Sequence, residues 1–426
     1  AISPNWGSEP GMGWNWIINL AKHCELYVIT EGQWRNEIEQ SVSDAISNGI
    51  DKSGHLSKEQ AVRLHFYYNP VSDKVRSICW NQGDWRFYYY YNKWQKSTFE
   101  IACKIISENS IDIIHQLNMI GFREPGYLWK ITSVPYVWGP FGGLGHIKNS
   151  FLYNIPLKTK IICKLKNTIS NWQKKYMPRI RKIMTRADGL CCATSDGYRF
   201  IAQHYRPDAC FLNETGCYVK AHSDIDIIQQ NLDKKKNFNM MWVGRFIFTK
   251  ELPIALHVMS LLKDYPDIHL HVYGDGEEKI MASYKAMCSD LRLKNIHWHG
   301  KVPNNEIQKQ MQVSDILLFT SILEGTPHVV MEALGNNLPV VCFDTCGQGD
   351  CIDDSCGIKI PLSNPQQSVY DFVSAIEFLY KNPDKLRQLK VQCHYRQVQL
   401  SWDNKVKAML SIYQEAILHF KKTNAK

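Results

Sequence analysis

Leu323-Glu324-Gly325-Thr326-Pro327-His328-Val329-Val330-Met331-Glu332-Ala333-Leu334 decides how the chain is read. The apolar run before it, Asp315 to Ser321, predicts a strand. Thr326 is a good helix N-cap and Pro327 suits a first helical position. Gly335 closes a short helix. Glu324 then falls in the loop at the carboxyl end of the strand, and Glu332 inside the helix. In an open α/β sheet, ligands bind at the carboxyl ends of strands. A helix start there offers backbone N–H groups and a positive dipole end to an anion. A capped loop followed by a solvated Glu332 is the plainer alternative.

Working outward, other segments repeat the strand-then-glycine pattern. Met241-Trp242-Val243-Gly244-Arg245 is followed by Lys250. Arg binds phosphate oxygens in a fork and Lys adds a mobile charge, so the pair suits a diphosphate. Ile268 to Tyr273 alternates like a strand and ends in Gly274-Asp275-Gly276, where a backbone can approach a ligand closely. Ile296 to Gly300 runs on to Lys301-Val302, and Pro339 to Asp344 leads to Gly347-Gln348-Gly349-Asp350. Cys342, Cys346, Cys351 and Cys356 crowd that last region. They lack a Cys-x2-Cys pair and Cys342 falls in a strand, so zinc is the weaker reading.

In the N-terminal half, Gly7-Ser8-Glu9-Pro10-Gly11-Met12-Gly13-Trp14 reads as a loop feeding a helix from Trp16 to Lys22, then a strand from Glu25 to Thr30. Glu31 falls near the place of a ribose-binding acid. The glycine order, Gly-x3-Gly-x-Gly, is nevertheless wrong for a dinucleotide fingerprint and argues against an NAD-dependent oxidoreductase. Ile111 to His115 predicts a strand ending in His115. Val134 to Trp138 predicts another, ending in a tight turn over Gly139-Pro140-Phe141-Gly142-Gly143. The aromatic run Trp85 to Trp94 continues with helical periodicity to Ser107 and reads mostly as packing, with acceptor contact as the alternative.

The Glu324-to-Glu332 spacing, with the elements before it in order, resembles the Glu-x7-Glu signature of retaining nucleotide-sugar glycosyltransferases of the GT-B fold, family 4 (glycosyl transferases group 1). The resemblance implies two Rossmann-like doubly wound α/β domains facing a cleft. It implies an acceptor domain over residues 1–212, a donor domain over 213–401, and a final helix over 402–426 returning to the first domain. Arg245 and Lys250 would hold the donor pyrophosphate. Gly274, Gly325, Thr326 and His328 would approach the donor through backbone, and the Val302 segment would line the nucleobase. Glu324 would contact the sugar and Glu332 the ribose. Gly11 and Gly13 would face the cleft, and His115 would stand beside the sugar. A histidine bonded to backbone is the equal alternative for His115. No metal and no cofactor are implied; the nucleotide-diphosphate sugar is a substrate, and a glycan or lipid-linked acceptor receives the sugar in cell-surface polysaccharide synthesis. The family often has Gly after the lysine, where Glu251 stands here. A GT-B-like binding protein without turnover remains a second class, separable only by assay.

The 426 residues suggest two or three domains, and alternating strand and helix patterns suggest α/β throughout. The chain begins inside what should be a central first strand, of which only Ala1-Ile2-Ser3 are present, so an upstream segment of roughly ten residues is expected. Fourteen Cys without framework spacing suit a reducing cytoplasm, and no run approaches a membrane span or a signal peptide. Asp224-Ile225-Asp226 lacks strand context and reads as chance. The net charge of +9 is concentrated: no carboxylate occurs between Glu124 and Asp188, a span holding twelve Lys and Arg. Ile161, Ile162, Leu165, Ile169, Trp172, Tyr176, Ile180 and Ile183 interleave with Lys174, Lys175, Arg179 and Lys182. That pattern suits an anionic membrane surface on the inner face of the membrane, with a solvated basic helix as the alternative. No nucleic-acid module accompanies the charge.

Overall fold

The computed structural model describes residues 2–4, 8–80, 84–117, 121–153, 155–220 and 237–424, the side chains of Ser8 and Glu9 excepted. Gly7 and Asp224-Ile225-Asp226 lie outside the described residues. All strand pairing within the sheets is parallel. In the N-terminal half, β1 (Leu26–Thr30) pairs with β2 (Leu64–Tyr68). A separate sheet runs β3 (Ile114–Gln116), β4 (Tyr136–Phe141), β5 (Gly189–Cys192), β6 (Cys210–Phe211). In the C-terminal half the strands are β7 (Phe238–Val243), β8 (Ile268–Tyr273), β9 (Ile296–Gly300), β10 (Ile316–Phe319), β11 (Val340–Phe343) and β12 (Gly357–Ile360). Their order is β12-β11-β10-β7-β8-β9.

Parallel strands covered on both faces need apolar side chains at every position. Ile316 to Phe319 and Val340 to Phe343 meet that demand, and every one of those residues is buried. Phe238, Met240 and Trp242 enter a core on one face of the C-terminal sheet, and Met241 enters the core on the other. Cys342, Cys351 and Cys356 pack in that second core with Cys217 and Cys393, as small apolar residues.

The helix Trp402–Asn424 crosses onto the N-terminal half. It packs Val406, Met409 and Ile412 against Met12, Trp16 and Leu20 of the helix Ser8–Leu20 and against Val137 of β4. The same helix Ser8–Leu20 corrects one expectation: Gly11 and Gly13 lie within it rather than in a loop before it. A second correction concerns β4, which continues through Gly139-Pro140-Phe141 where a turn was expected, with an irregularity in its pairing to β5 between Trp138 and Phe141. Gly139 has φ +121°, and a Cβ there would stand 2.1 Å from the Cys191 carbonyl oxygen. Only glycine permits both, so β4 and β5 can lie side by side through that point.

Candidate functional site

The order of the C-terminal sheet locates its crevice. From β7 the chain builds outward through β8 and β9, then returns to the other side of β7 and builds through β10, β11 and β12. The reversal falls between β7 and β10, and ligands of doubly wound sheets bind outside the carboxyl ends of strands at that point. Lys250 follows β7 and Glu324 follows β10. The structure brings them together: the Lys250 ammonium donates to Glu324 Oε1. Ser321 Oγ donates to the same oxygen at 2.5 Å. Both charged side chains keep 17% of their surface open, so the pair is reachable from the crevice.

The loop under this pair is fixed by backbone. Ile322 N–H donates to the Thr249 carbonyl at 2.9 Å, and Thr320 Oγ1 donates to the Lys250 carbonyl at 2.8 Å. Trp242 Nε1 donates to Thr320 Oγ1 at 3.0 Å, anchoring the arrangement in the core. Arg245 is exposed in the turn after β7, with no ion pair among the described residues. The turns after β7, β8 and β9 are zipped together: Gly244 N–H bonds the Tyr273 carbonyl at 3.0 Å, and Gly274 N–H bonds the Gly300 carbonyl at 2.8 Å. Gly274 has φ +137°, and a Cβ on it would lie 1.8 Å from the Gly244 carbonyl oxygen.

Glu251 adopts φ +46°, ψ 44°, the left-handed conformation that a glycine takes freely. A non-glycine residue held there costs about 1–2 kcal/mol. Its carboxyl is buried, which pushes its pKa up to about 8, so it is largely neutral beside Lys250 at neutral pH.

Thr326 does not cap the following helix. The helix His328–Leu334 starts one residue later than expected, with Pro327 at the N-cap position and no side-chain cap. Thr326 instead reaches the segment joining the two halves: Glu214 N–H donates to Thr326 Oγ1 at 3.3 Å, and Thr326 N–H donates to Glu214 Oε1 at 2.8 Å. A Cβ on Gly325 would strike that carboxylate at 2.2 Å. The helix has only seven residues, so its dipole is small and side-chain cations carry most of any anion binding. His328 is exposed at its start, yet the protein around the ring lowers its pKa by desolvation. Glu332 is half-buried one turn on; Asn304 Nδ2 donates to its Oε1 at 2.9 Å, and desolvation raises its pKa. Val302 packs on the core just before Asn304, so the turn after β9 and Glu332 are neighbours.

His115 stands apart from this group. Its Nδ1 meets the Tyr413 hydroxyl at 2.6 Å and its Nε2 meets the Gly139 carbonyl at 2.5 Å. Burial lowers its pKa to about 4. One ring nitrogen is held by the last helix and the other by the backbone of β4, as the backbone-bonded alternative has it. Sequence reasoning missed Glu214, Ser321, Asn304 and Gln348, whose Nε2 donates to the Ser321 carbonyl at 2.9 Å. Ser321 and Gln348 lie inside the motifs quoted above; nothing local marks Glu214 or Asn304.

Residues 223–392 match the family model described as Glycosyl transferases group 1. An uncharacterized glycosyltransferase of Haemophilus influenzae is 26% identical over 169 residues, 38% of this chain and 44% of that protein. The capsular polysaccharide biosynthesis glycosyltransferase CapH of Staphylococcus aureus is 31% identical over 121 residues, 28% of this chain and 33% of that protein. The chain thus spans under half the length of these two curated relatives. Among solved structures, HepE of Anabaena in complex with UDP is similar with a TM-score of 0.56 at 12% identity, over 95% of this chain and 96% of that one. The architecture is GT-B, two Rossmann-like halves, and residues 223–392 are similar to the glycosyl transferases group 1.

Proposed function

We propose that the protein transfers a sugar from a nucleotide-diphosphate donor to a glycan or lipid-linked acceptor, with retention, in cell-surface polysaccharide synthesis. The acceptor would be met by residues 1–212 and the donor by 213–401, with 402–426 tying the two. The observation that carries the reading is the Lys250–Glu324 pair across the β7/β10 reversal, braced by Ser321. A diphosphate entering the crevice meets Lys250 and Arg245, and Lys250 exchanges Glu324 for phosphate oxygens. Glu324 is then free to bond the donor sugar hydroxyls. Backbone N–H groups near Gly325 and His328 assist, while Glu332 and the Val302 turn take the ribose and base. As the bond to the leaving oxygen breaks, negative charge grows on the diphosphate and positive charge on the sugar. Cations and a carboxylate already in place stabilise both without reorganisation. The relatives described as capsular and lipopolysaccharide glycosyltransferases support the class of product.

Retention is the expected outcome with a defined donor. NMR of the product's anomeric proton decides it, and an inverted linkage would sink the mechanism while leaving the fold untouched. Turnover should also survive EDTA, because Arg245 and Lys250 take the place of a bridging ion. Loss of activity in EDTA with recovery in magnesium or manganese would show the clamp to be wrongly assigned.

Work at an anionic membrane surface belongs to the same proposal. No described helix is long and apolar enough to cross a membrane. The helix Leu157–Tyr176, however, is reversed in polarity. It buries Cys163, Ser170 and Lys174, while Leu157, Ile161, Leu165, Ile169, Trp172 and Tyr176 are exposed. Their spacing of three and four residues makes one stripe, opposite the buried face. Lys158, Lys164, Lys166 and Lys175 flank it in solvent. Two cations expected to act here do not: Lys174 Nζ bonds the Leu144 carbonyl at 3.1 Å, and Arg179 pairs with Glu124 at 3.0 Å. Ile180 and Ile183 are core residues. Replacing Lys158, Lys164, Lys166 and Lys175 by Gln should weaken binding to anionic vesicles by roughly 1 kcal/mol per charge without unfolding the protein. Equal sedimentation of the unmodified protein with neutral and anionic vesicles would remove the argument.

A further inference from the structure

We infer that the solvent-facing histidines of β8 and β9 form a binding site for a divalent transition-metal ion of the imidazole-seeking class, nickel or copper, with His271 and His299 as its protein ligands. His269 and His271 follow one another at a spacing of two on β8, as His297 and His299 do on β9, and His297 lies opposite His271 in the ladder. Residues at that spacing share one face of a strand. The alternate residues Ile268, Leu270 and Val272 are core, with Ile296 and Trp298 packed on them. The histidine face is open: His297 and His299 are exposed, and His269 and His271 half-buried. A solvated strand face is ordinarily filled by threonine, tyrosine or valine, and nothing in the proposed sugar transfer uses four imidazoles there.

The rings form a zigzag. His297 Nε2 lies 3.0 Å from His269 Nδ1, and its ring stacks on His271 with centroids 4.6 Å apart. His299 Nε2 lies 3.0 Å from His271 Nδ1, and its ring stacks on Tyr273 with centroids 4.3 Å apart. The register shifts between Val272 and Tyr273, but these contacts keep His299 on the same face. Two imidazole nitrogens about 2.0–2.1 Å from one ion stand roughly 2.9 Å apart at adjacent corners of a square or octahedron, and roughly 3.4 Å apart at tetrahedral corners. The observed spacing is that of adjacent corners, which suits nickel or copper better than zinc. Turning the two rings about χ2 lets both lone pairs face one ion.

Asn239 selects the pair His271 and His299. Its Oδ1 lies 3.4 Å from His271 Nε2, which keeps the proton on that nitrogen and leaves the Nδ1 lone pair facing His299. Metal-ligating histidines donate their other ring N–H to an oxygen in this way. The pair His269 and His297 shows no such bond among the described residues. His299 then carries its proton on Nε2, and metal entry moves that proton to Nδ1 through water, with no net release. Burial and the neighbouring rings lower the pKa of His269, His271 and His299, so the ladder is neutral at neutral pH. Among the described residues no three of His, Cys, Asp or Glu converge on a metal site, so water completes the coordination. The ion ties the edge strand β9 to β8. Lys250 and Glu324 follow β7 and β10 instead, so turnover in EDTA is still expected.

The test is a calorimetric titration of Ni2+ into the chain without a polyhistidine tag, repeated with Mg2+. Nickel should bind saturably and raise Tm, while magnesium, which prefers oxygen ligands, should give no heat of binding. His299→Asn should weaken nickel binding by about tenfold or more, the scale lost even when an outer partner of a ligand is removed. His269→Asn, and Cys103→Ser at an exposed thiol, should stay within about threefold of the parent, well inside that scale. An anomalous difference map at the nickel absorption edge should place the ion between His271 and His299, and it decides the matter if His299→Asn does not fold. No saturable nickel binding, unchanged affinity in His299→Asn, a loss in His269→Asn or Cys103→Ser as large as that in His299→Asn, or an ion located elsewhere would each overturn the inference. No donor or acceptor is needed, so the outcome is independent of the proposed sugar transfer.

Discussion

Glu324→Gln is expected to lower turnover by about 100-fold or more, the scale seen when one preorganised polar contact at a reacting centre is lost. The substitution keeps size and removes charge. In the structure Glu324 Oε1 accepts from both Lys250 and Ser321, so the carboxylate is held by two donors before any ligand arrives. Glutamine can still accept those bonds, and the loop should stay in place. What disappears is the negative charge beside a sugar that becomes positive as the diphosphate leaves. Donor affinity should hold or tighten, because Lys250 no longer has a carboxylate to leave. Lys250→Ala should behave differently, losing both affinity and turnover, because the diphosphate is charged before departure and more so during it. The separation is read from kcat and from the dissociation constant of the nucleotide diphosphate. A Glu324→Gln enzyme within about threefold of the parent would remove Glu324 from the chemistry; the 100-fold expectation leaves ample room for that distinction.

Gly347→Ala should be nearly as damaging, through geometry alone. Gly347 lies in the short helix Cys346–Cys351, hard against the loop that carries Glu324. A Cβ at this position would stand 1.8 Å from the Gly325 carbonyl oxygen and 2.7 Å from Thr326 Cα. Both obstacles are backbone, so no rotamer relieves the clash, and the Glu324–Thr326 loop must move by an ångström or more. Displacement on that scale costs about 100-fold in rate even without touching a reacting group. A fall of several degrees in Tm is expected with it. Gly121→Ala is the control: open space surrounds that Cβ position, and both activity and Tm should be unchanged. Full activity in Gly347→Ala would mean that the contact between this helix and the Glu324 loop is not required.

The fold was legible where the apolar pattern is regular. Ile268 to Tyr273 alternates and Val340 to Phe343 is buried throughout, and the structure places both strands where the pattern does. Errors fell where glycine or proline was read as a stop. Gly11 and Gly13 are inside a helix and Gly139-Pro140 is inside a strand, because tertiary packing overrides a local preference of about 1 kcal/mol. The basic region shows the same limit. Charge and apolar spacing were visible, but which face turns inward was not: Lys174 is buried and Arg179 pairs with Glu124.

By itself the sequence determined the alternation of strands and helices, the glycines that let backbones touch, and the spacing of Glu324, Glu332, Arg245 and Lys250. These are properties of short segments, fixed by sterics and by the period of each element. Only the tertiary structure decided that Lys250 and Glu324 meet, since 74 residues separate them and the sheet order alone places the ends of β7 and β10 side by side. It alone decided that Glu214 reaches the Gly325–Thr326 backbone from the segment joining the halves, that His115 bridges Tyr413 of the last helix and the Gly139 carbonyl of β4, and that β1 and β3 face one another across an internal cavity. Contacts of this kind depend on where elements pack, and no run of residues carries that information locally.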